Sequence, residues 1–264
     1  MSSTNFEQNW GISMFKNERL SMILNTLQHR RVMTTTELQK VLFVSGSTLR
    51  RDLIDLEKLG KVTRKFGRVE LVRPDNIELS YLFREQEHEK EKRYIAEIAN
   101  TFLTDNQAIF VDSSSTASFL STYFSKLNNL VVITNGLRLA VELDGITKVR
   151  TFVPGGWLRP GAGSILGDTV LEFLDNFRAD LFFLSCTGIT AEGVFMSSEE
   201  QSSVKRRMLK RGDKVVLLCD HSKFKVKGYF KLCDYDQIDV IITDEKPPKT
   251  FLEQWQQLNV EVLY

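Results

Sequence analysis

Five short segments between residues 112 and 224 combine hydroxyl side chains, glycines and charged residues. Hydroxyls and free backbone amides at a helix N-terminus bind anions. Paired glycines let the backbone approach a ligand closely, and a lysine adds a positive charge. These residue types together suit a small phosphorylated, hydroxyl-rich ligand. The segments are Asp112-Ser113-Ser114-Ser115-Thr116, Thr134-Asn135-Gly136, Pro154-Gly155-Gly156, Cys186-Thr187-Gly188 and Asp220-His221-Ser222-Lys223-Phe224.

Within this set, four residues are candidates for contacts with a phosphate group, and six are candidates for binding ligand hydroxyls or shaping the pocket. The phosphate candidates are Ser113, Ser115, Thr116 and Lys223. The candidates for binding ligand hydroxyls or shaping the pocket are Asp112, Asn135, Gly155, Gly156, Gly188 and Glu192.

Simpler explanations exist for several of these residues. A serine-rich loop before a helix is more often a helix cap than a phosphate site. Asp112 can equally cap the end of a strand, and Lys223 can be solvated or pair with Asp220. For His221 a polar surface role is the simplest explanation. The case for a pocket therefore depends on the fold bringing the five segments to one place.

A second group of residues, near the N-terminus, suits contacts with DNA. Ser47, Thr48, Arg50 and Arg51 occupy the exposed N-terminal part of a predicted helix over residues 47–56. An arginine there can donate two hydrogen bonds to guanine. Arg64, Lys65 and Arg68 lie in a predicted basic hairpin, where they would contact phosphates without reading sequence. Asp52 is interpreted as a structural residue that orients an arginine or nearby backbone.

The elements that position these arginines form a predicted winged helix-turn-helix. The spacing of Leu20, Ile23, Leu24 and Leu27 indicates a first helix. Thr34 to Glu37 form a capping box, which predicts that a second helix begins there. Ser45 is the expected N-cap of the third helix, which carries the two arginines, and this helix is expected to end at Gly60. The apolar faces are predicted to hold Leu38, Val41 and Leu42 on the second helix and Leu49, Leu53 and Leu56 on the third. Two strands over residues 61–72 form the wing.

Charge is distributed unevenly along the 264 residues. Residues 1–73 hold 13 Lys and Arg against 7 Asp and Glu, and the remainder holds 22 against 27. The first part is therefore basic, as phosphate attraction requires, and the second is acidic. The domains expected are a disordered extension over 1–14 (with Met14 as an alternative start), a DNA-binding domain over 15–73, a linker and helix start over 74–92, and a ligand-sensing domain over 93–264. The charged run from Arg84 to Arg93 is predicted to be solvated.

From about residue 88 the pattern alternates between helix and strand, which predicts an α/β domain with a largely parallel sheet. Ligands bind at the carboxyl ends of the strands in such sheets. The predicted strands are Ala108–Val111, Leu130–Thr134, Val149–Val153, Asp180–Ser185, Lys214–Cys219 and Ile238–Thr243, with Val260–Leu263 as a seventh. The predicted helices are one marked by Ile95, Ile98, Ala99 and Phe102, and others at Thr116–Phe124, Thr169–Phe177, Ser203–Lys210 and Pro248–Leu258.

Several classes of protein are disfavoured. No apolar run approaches the roughly 18 residues of a membrane span, and the N-terminus lacks the apolar stretch of a signal peptide. Three dispersed cysteines, Cys186, Cys219 and Cys233, indicate neither a disulfide framework nor a zinc site. We therefore expect a cytoplasmic protein with no metal and no cofactor.

Eight motifs in order, one near the N-terminus and seven in the α/β part, give the chain a resemblance to the DeoR family of bacterial transcriptional regulators over about residues 16–245. The resemblance implies a repressor whose α/β sensor domain is similar to ribose-5-phosphate isomerase and sugar-phosphate deaminases. It also implies an oligomer that a phosphorylated sugar releases from operator DNA. The motifs are Thr48-Leu49-Arg50-Arg51-Asp52-Leu53 with the preceding helix-turn in the DNA-binding part, and in the sensor Asp112 to Thr116, Thr134-Asn135, Gly155-Gly156, Gly188 to Gly193, Val204-Lys205-Arg206, Asp220 with Ser222-Lys223-Phe224, and Ile242-Thr243-Asp244.

Two departures from the family pattern concern the candidate sites. Ser114 stands where the family usually has glycine, which predicts a change in the shape or ligand preference of that loop. Phe66-Gly67-Arg68 replaces the usual His-Gly-Gly of the wing, so Arg68 is expected to add a phosphate contact.

The function expected is repression of a sugar or carbohydrate catabolic operon, with no catalytic residue. The alternative is a sugar-phosphate isomerase or deaminase with an attached DNA-binding domain, in which Asp112, Glu192 or Glu199 would be the base. A third possibility, an activator or purely architectural DNA binder, is disfavoured by the pocket residues.

Overall fold

A computed structural model describes residues 16–30, 32–58, 61–71 and 81–264. The chain divides into two compact units, Met1–Ile77 and Glu78–Tyr264. The predicted extension over 1–14, the helix stop at Gly60 and residues 74–80 of the predicted linker lie outside the described residues. Within the described part, no helix is both long and apolar enough to cross a bilayer.

The first unit is a winged helix-turn-helix, as predicted. Its elements are α1 (Lys16–His29), β1 (Val32–Thr34), α2 (Thr35–Leu42), α3 (Gly46–Lys58), β2 (Val62–Lys65) and β3 (Arg68–Leu71). The capping box at the start of α2 is confirmed: the Thr34 hydroxyl accepts from the Glu37 amide at 3.1 Å, and the Glu37 carboxylate accepts from the Thr34 amide at 2.7 Å. Ser45 caps α3 as expected, because its hydroxyl accepts from the Thr48 amide at 3.2 Å.

The core of this unit contains most of the predicted apolar residues. Those buried are Ile23, Leu27, Leu38, Leu42, Leu49, Leu53 and Leu56, and Leu20 and Leu24 pack against them half-buried. The prediction for Val41 was wrong, since this side chain is 49% exposed. The buried face of the two-turn helix α2 is narrow and contains only Leu38 and Leu42. A third strand, β1, pairs antiparallel with β3 and was not predicted.

The second unit is built on a sheet of seven parallel strands in the order β15-β14-β12-β9-β4-β5-β6. All seven were predicted, with small differences at their ends. Their bounds are β4 (Ala108–Val111), β5 (Leu130–Thr134), β6 (Val149–Phe152), β9 (Ala179–Leu184), β12 (Gly212–Leu218), β14 (Val240–Ile242) and β15 (Glu261–Leu263). Alternate residues face opposite sides: Phe110 and Phe182 lie in one apolar cluster, and Ile109 and Leu181 in the other.

Helices cover the sheet, and their bounds are α4 (Tyr81–Gln86), α5 (Glu89–Ala99), α6 (Ser115–Ser118), α7 (Ser121–Phe124), α8 (Leu137–Asp144), α9 (Asp168–Leu174), α10 (Glu199–Leu209) and α11 (Lys249–Gln257). The prediction of a single helix over residues 116–124 was wrong, because the structure has two four-residue helices there, α6 and α7. Helix α8 was missed.

Small antiparallel sheets flank the main one and were not predicted, because their strands are short. Strands β10 (Gly188–Thr190), β11 (Gly193–Met196) and β13 (Phe230–Cys233) form one of them, and β7 (Trp157–Leu158) and β8 (Ile165–Leu166) form the other. The prediction that Arg84 to Arg93 is solvated was wrong for Lys92, which is 3% exposed. Its neighbours on α5 show why: Ile95, Ala96 and Ala99 lie on the same buried face.

Candidate functional sites

The N-terminal part of α3 carries the residues predicted to contact bases. Arg50 and Arg51 are exposed, and neither guanidinium group has a hydrogen bond or ion pair with any residue that the structure describes. Ser47 and Thr48 contribute to the helix cap, since the Ser45 hydroxyl lies 3.1 Å from the hydroxyl of Ser47 and 2.8 Å from that of Thr48. Two free guanidinium groups therefore project from a helix whose first turn is fixed by its cap.

Asp52 holds α3 against α1. Its carboxylate is 2% exposed and accepts two hydrogen bonds from the Arg19 guanidinium, at 2.8 and 3.1 Å. This two-point geometry fixes orientation as well as distance. The structural role predicted for Asp52 is thus confirmed, and Arg19 is its partner.

Arg64, predicted to contact phosphate, is already engaged within the protein. Its guanidinium donates to the Glu57 carboxylate at 2.9 and 2.6 Å, and its backbone amide donates to the same carboxylate at 3.0 Å. The hydrogen bond from Arg64 lowers the pKa of Glu57. Because Glu57 lies on α3 and Arg64 on β2, this ion pair fixes the position of the wing relative to α3.

Between α3 and the wing lies a cleft of about 480 Å³. Its lining contains four cations, Arg50, Arg64, Lys65 and Arg68, and no carboxylate. At the wing tip, Phe66 is fully exposed with φ of 51°, in the left-handed region. A basic cleft with an exposed aromatic ring at its edge can accept a polyanion with flat bases.

In the second unit, the five polar segments all follow parallel strands of one sheet, so they share its carboxyl edge as predicted. Contacts join two of them to residues 164 and 165. The Asn135 amide donates to the Ile165 carbonyl at 3.2 Å, and the Ser164 hydroxyl donates to that of Ser113 at 3.0 Å. The fold therefore brings the loops after β4 and β5 together with strand β8.

Asp112 anchors the loop after β4. It is 1% exposed and accepts from the amides of Ser114 at 2.8 Å and Ser185 at 2.9 Å, and from Lys205 Nζ at 2.5 Å. Lys205 Nζ also donates to the Ser185 carbonyl at 2.6 Å. Because three donors already surround the carboxylate, Asp112 holds the loops after β4 and β9 in place. Lys205, in a motif noted in the sequence, was not predicted as a site residue; its position on the buried face of α10 was the available signal.

The hydroxyls of this loop are buried, and each has a neighbour. Ser115 Oγ accepts from Lys92 Nζ at 3.3 Å, and Thr116 Oγ1 lies 3.5 Å from Ser185 Oγ. Ser114, the departure from the family pattern, caps α6 by accepting from the Ala117 amide at 3.2 Å. Its φ is −77°, which needs no glycine. Because α6 has only four residues, the helix dipole contributes little here, and side chains must supply the attraction for an anion.

Lysines supply that attraction. Lys92 is buried, and Lys223 is half-buried, with no hydrogen bond or ion pair from its ammonium group to any described residue. Burial lowers the pKa of Lys92 to about 8, and the charge of Lys223 acts in the same direction. Burial alone would raise the pKa of Asp220, but the charge of Lys223 and a hydrogen bond from Ser222 outweigh it and lower the pKa. Lys92, missed by the sequence analysis, thus belongs to a group of charges around the loop.

Two buried acceptor atoms, Asn135 Oδ1 and Asp220 Oδ2, have no hydrogen-bond partner among the described residues. Most buried acceptor atoms in proteins accept a hydrogen bond. Each of these two atoms is therefore a position to which a ligand hydroxyl can donate one. Nearby, His221 Nδ1 lies 2.6 Å from the Asp244 carboxylate, and this contact raises the pKa of His221.

The glycine candidates differ in their surroundings. A Cβ on Gly188 would lie 2.3 Å from the Val226 carbonyl oxygen, and one on Gly156 would lie 2.5 Å from that of Leu166. Both glycines are required by close backbone packing. Gly155 has open space around it. Glu192 lies exposed on the turn between β10 and β11, where Lys231 is its charged neighbour.

One cavity of about 660 Å³ lies beside Gly156, between α9 and the start of α10. It contains none of the four phosphate candidates. Its charged lining residues are Asp168, Glu199 and Glu200, with no lysine or arginine. Since carboxylates repel a phosphate, the charges around Lys92 and Lys223 fit an anionic ligand better than this cavity does.

Comparison with known families gives two matches. The family model described as "DeoR C terminal sensor domain" matches residues 87–245, more than half of the chain. The model described as "DeoR-like helix-turn-helix domain" matches residues 19–75.

Similar proteins match over nearly their whole lengths. The HTH-type transcriptional regulator GolR of Listeria innocua is 32% identical over 94% of this chain and 98% of its own. The HTH-type transcriptional repressor GlcR of Bacillus subtilis is 29% identical over 95% of this chain and 96% of its own. The L-fucose operon activator of Escherichia coli is 30% identical over 90% of this chain and 98% of its own. Among solved structures, a D-ribose-5-phosphate isomerase in complex with phospho-erythronic acid aligns with 52% of this chain and 54% of its own, at a TM-score of 0.39 and 14% identity.

Proposed function

Because this chain belongs to the DeoR family of transcriptional regulators, we propose that it represses a sugar or carbohydrate catabolic operon and is released from its operator by a phosphorylated sugar. It is a DNA-binding regulator and not an enzyme. The alternative of a sugar-phosphate isomerase or deaminase is therefore discarded. Acting on an operator, it works in the cytoplasm.

The pair of free guanidinium groups on Arg50 and Arg51 supports specific DNA binding. They extend from the capped start of α3, the part of such a helix that enters the major groove. One of them is assigned to guanine, and Lys65 and Arg68 to backbone phosphates on the wing side of the cleft. Arg64 is reassigned: its pairing with Glu57 makes it a positioning residue.

The positive charges of Lys92 and Lys223 carry the proposal of a phosphorylated effector, because neither ammonium group forms an ion pair with a carboxylate of the described residues. A dianion placed between them and the hydroxyls of Ser113, Ser115 and Thr116 would supply the missing negative charge. The unpartnered acceptors of Asn135 and Asp220 would bind the sugar hydroxyls. Asp112 and Gly188 are assigned to holding this site in shape. Gly156 lines the separate acidic cavity, so neither it nor Gly155 is placed at the phosphate, and the exposed Glu192 is left out.

GlcR of Bacillus subtilis is a transcriptional repressor, whereas the similar L-fucose operon protein of Escherichia coli is an activator. We assign repression here, and we expect a homo-oligomer because paired half-sites on DNA match a symmetric protein.

The test is a binding titration with DNA from upstream of the protein's own gene cluster at fixed salt. We expect tight binding that glucose 6-phosphate, ribose 5-phosphate or glycerol 3-phosphate weakens and the unphosphorylated sugars do not. Binding that none of these compounds changes would refute the effector assignment and leave the DNA-binding assignment intact. Tighter binding with a sugar phosphate would reverse the sign of regulation.

A further inference from the structure

Lys92 contacts both the loop after β4 and the helix α4. The side chain extends from α5, and its Nζ donates to Ser115 Oγ at 3.3 Å. The same Nζ donates to the carbonyl oxygen of Arg84 and, at 2.6 Å, to that of Glu87. These carbonyls lie at the C-terminal end of α4, so Lys92 caps that helix while touching the proposed phosphate loop.

The three acceptors of Lys92 are all neutral. Within the part of the chain that the structure describes, no carboxylate pairs with it, whereas the other buried lysine, Lys205, pairs with Asp112. A buried charge without a counterion is costly, and the lowered pKa of Lys92 reflects that cost. Asp220 and Glu87 attract it electrostatically without forming an ion pair. An anion bound beside Ser115 would remove the imbalance.

We propose that Lys92 binds the effector phosphate and, in doing so, releases the C-terminal end of α4. This inference rests on the proposed function and assigns the residue that couples its two sites. An ammonium group has three donors, and all three are in use. A hydrogen bond to an ionised phosphate oxygen is stronger than one to a neutral carbonyl. The phosphate therefore replaces the Arg84 or Glu87 carbonyl as an acceptor, and α4 loses its cap.

Helix α4 is well placed to pass this change on, because it is the first described element after the segment that joins the two units. It has only six residues, too few to be stable alone. Three further hydrogen bonds attach it: the Tyr81 amide donates to the Gly161 carbonyl at 2.7 Å, the Tyr81 hydroxyl to Ser118 at 2.8 Å, and Arg84 to the Ala162 carbonyl at 2.9 Å. Loss of the Lys92 cap therefore loosens the C-terminal end of α4 itself.

The first experiment compares the full-length protein with Lys92→Met and with Lys90→Met, which removes an exposed lysine from the same helix. Operator binding is titrated with glucose 6-phosphate, ribose 5-phosphate, glycerol 3-phosphate and inorganic phosphate. We expect Lys90→Met to behave as wild type. Lys92→Met should require about 10- to 150-fold more of the releasing compound, the loss that one charge-assisted hydrogen bond predicts. Its operator affinity without effector should fall toward that of the effector-loaded wild type.

Two outcomes would overturn the inference. If Lys92→Met is released by the same concentration as wild type, Lys92 is not a phosphate ligand. If it needs more effector but binds operator as tightly as wild type without it, Lys92 binds phosphate without coupling it to α4. A wild type that no phosphate releases would instead refute the proposed function, so the two failures are distinguishable.

Hydrogen exchange of the wild type avoids dependence on the folding of a variant. Adding the releasing compound should speed exchange in peptides that cover residues 81–92 and leave the central strand β4 unchanged. Unchanged or slower exchange over residues 81–92 would refute the release of α4.

Discussion

The buried ion pair between Lys205 and Asp112 is expected to dominate the stability of the second unit. The side chain of Lys205 is 4% exposed and that of Asp112 is 0% exposed, and Lys205 Nζ lies 2.5 Å from Asp112 Oδ2. Removing one partner of such a pair costs about 3–5 kcal/mol, because the other charge stays buried without compensation. Lys205→Met leaves Asp112 with the amides of Ser114 and Ser185 as donors, so its cost should lie near the lower limit. Asp112→Asn leaves the ammonium group with the Ser185 carbonyl as its one strong acceptor, so its cost should lie near the upper limit.

The double variant tests the reasoning, since it removes both charges together. Its loss in free energy of unfolding should be smaller than the sum of the single losses by at least about 1.5 kcal/mol. For a domain of this size each kcal/mol lowers Tm by about 2–4 °C, so the single variants should melt roughly 6–20 °C lower.

The assay is urea unfolding followed by circular dichroism, with thermal melts alongside. The matched control is Lys249→Met, which removes one partner of the exposed pair with Glu253 and should cost less than about 0.5 kcal/mol. A loss below about 1 kcal/mol for Lys205→Met, or single losses that simply add in the double variant, would show that the pair does not anchor the loop.

Three further predictions concern other parts of the molecule. Arg51→Ala should lower operator affinity by about 1–3 kcal/mol and leave Tm unchanged; undiminished affinity in an anisotropy titration would remove Arg51 from the base contacts. Phe66→Asn should raise the Tm of the protein, because Phe66 adopts a positive φ that asparagine tolerates better and its side chain is fully exposed. A lower Tm would contradict this, and weaker operator binding by the same variant would place the ring at the DNA. Asp244→Asn should lower the pKa of His221 toward its ordinary value of about 6.5, because the hydrogen bond to Asp244 raises it in wild type. The contribution of that contact to stability is fully present below pH about 6.5 and is lost as pH rises through the raised pKa; an NMR titration in which the variant keeps the wild-type pKa would refute the assignment.

Local patterns in the sequence were sufficient for most secondary structure. The capping box at Thr34, the cap at Ser45 and the spacing of Leu49, Leu53 and Leu56 each depend on residues within one or two helical turns. Apolar runs bounded by polar residues predicted all seven strands of the parallel sheet, because strands covered on both faces are apolar throughout. The parallel order then placed the polar segments at one edge.

The tertiary structure decided which charges meet. Lys205 and Asp112 are 93 residues apart in sequence, and no periodicity indicates that they pair. Lys92 stands in a run of alternating charges that is typical of solvent-exposed helices, yet the packing of α5 buries it beside Ser115. Arg64 is one of several basic residues in the wing, and only the position of Glu57 separates it from those free to bind DNA. Local sequence sets periodicity and caps, whereas the partner of a buried charge depends on which distant elements the core brings into contact.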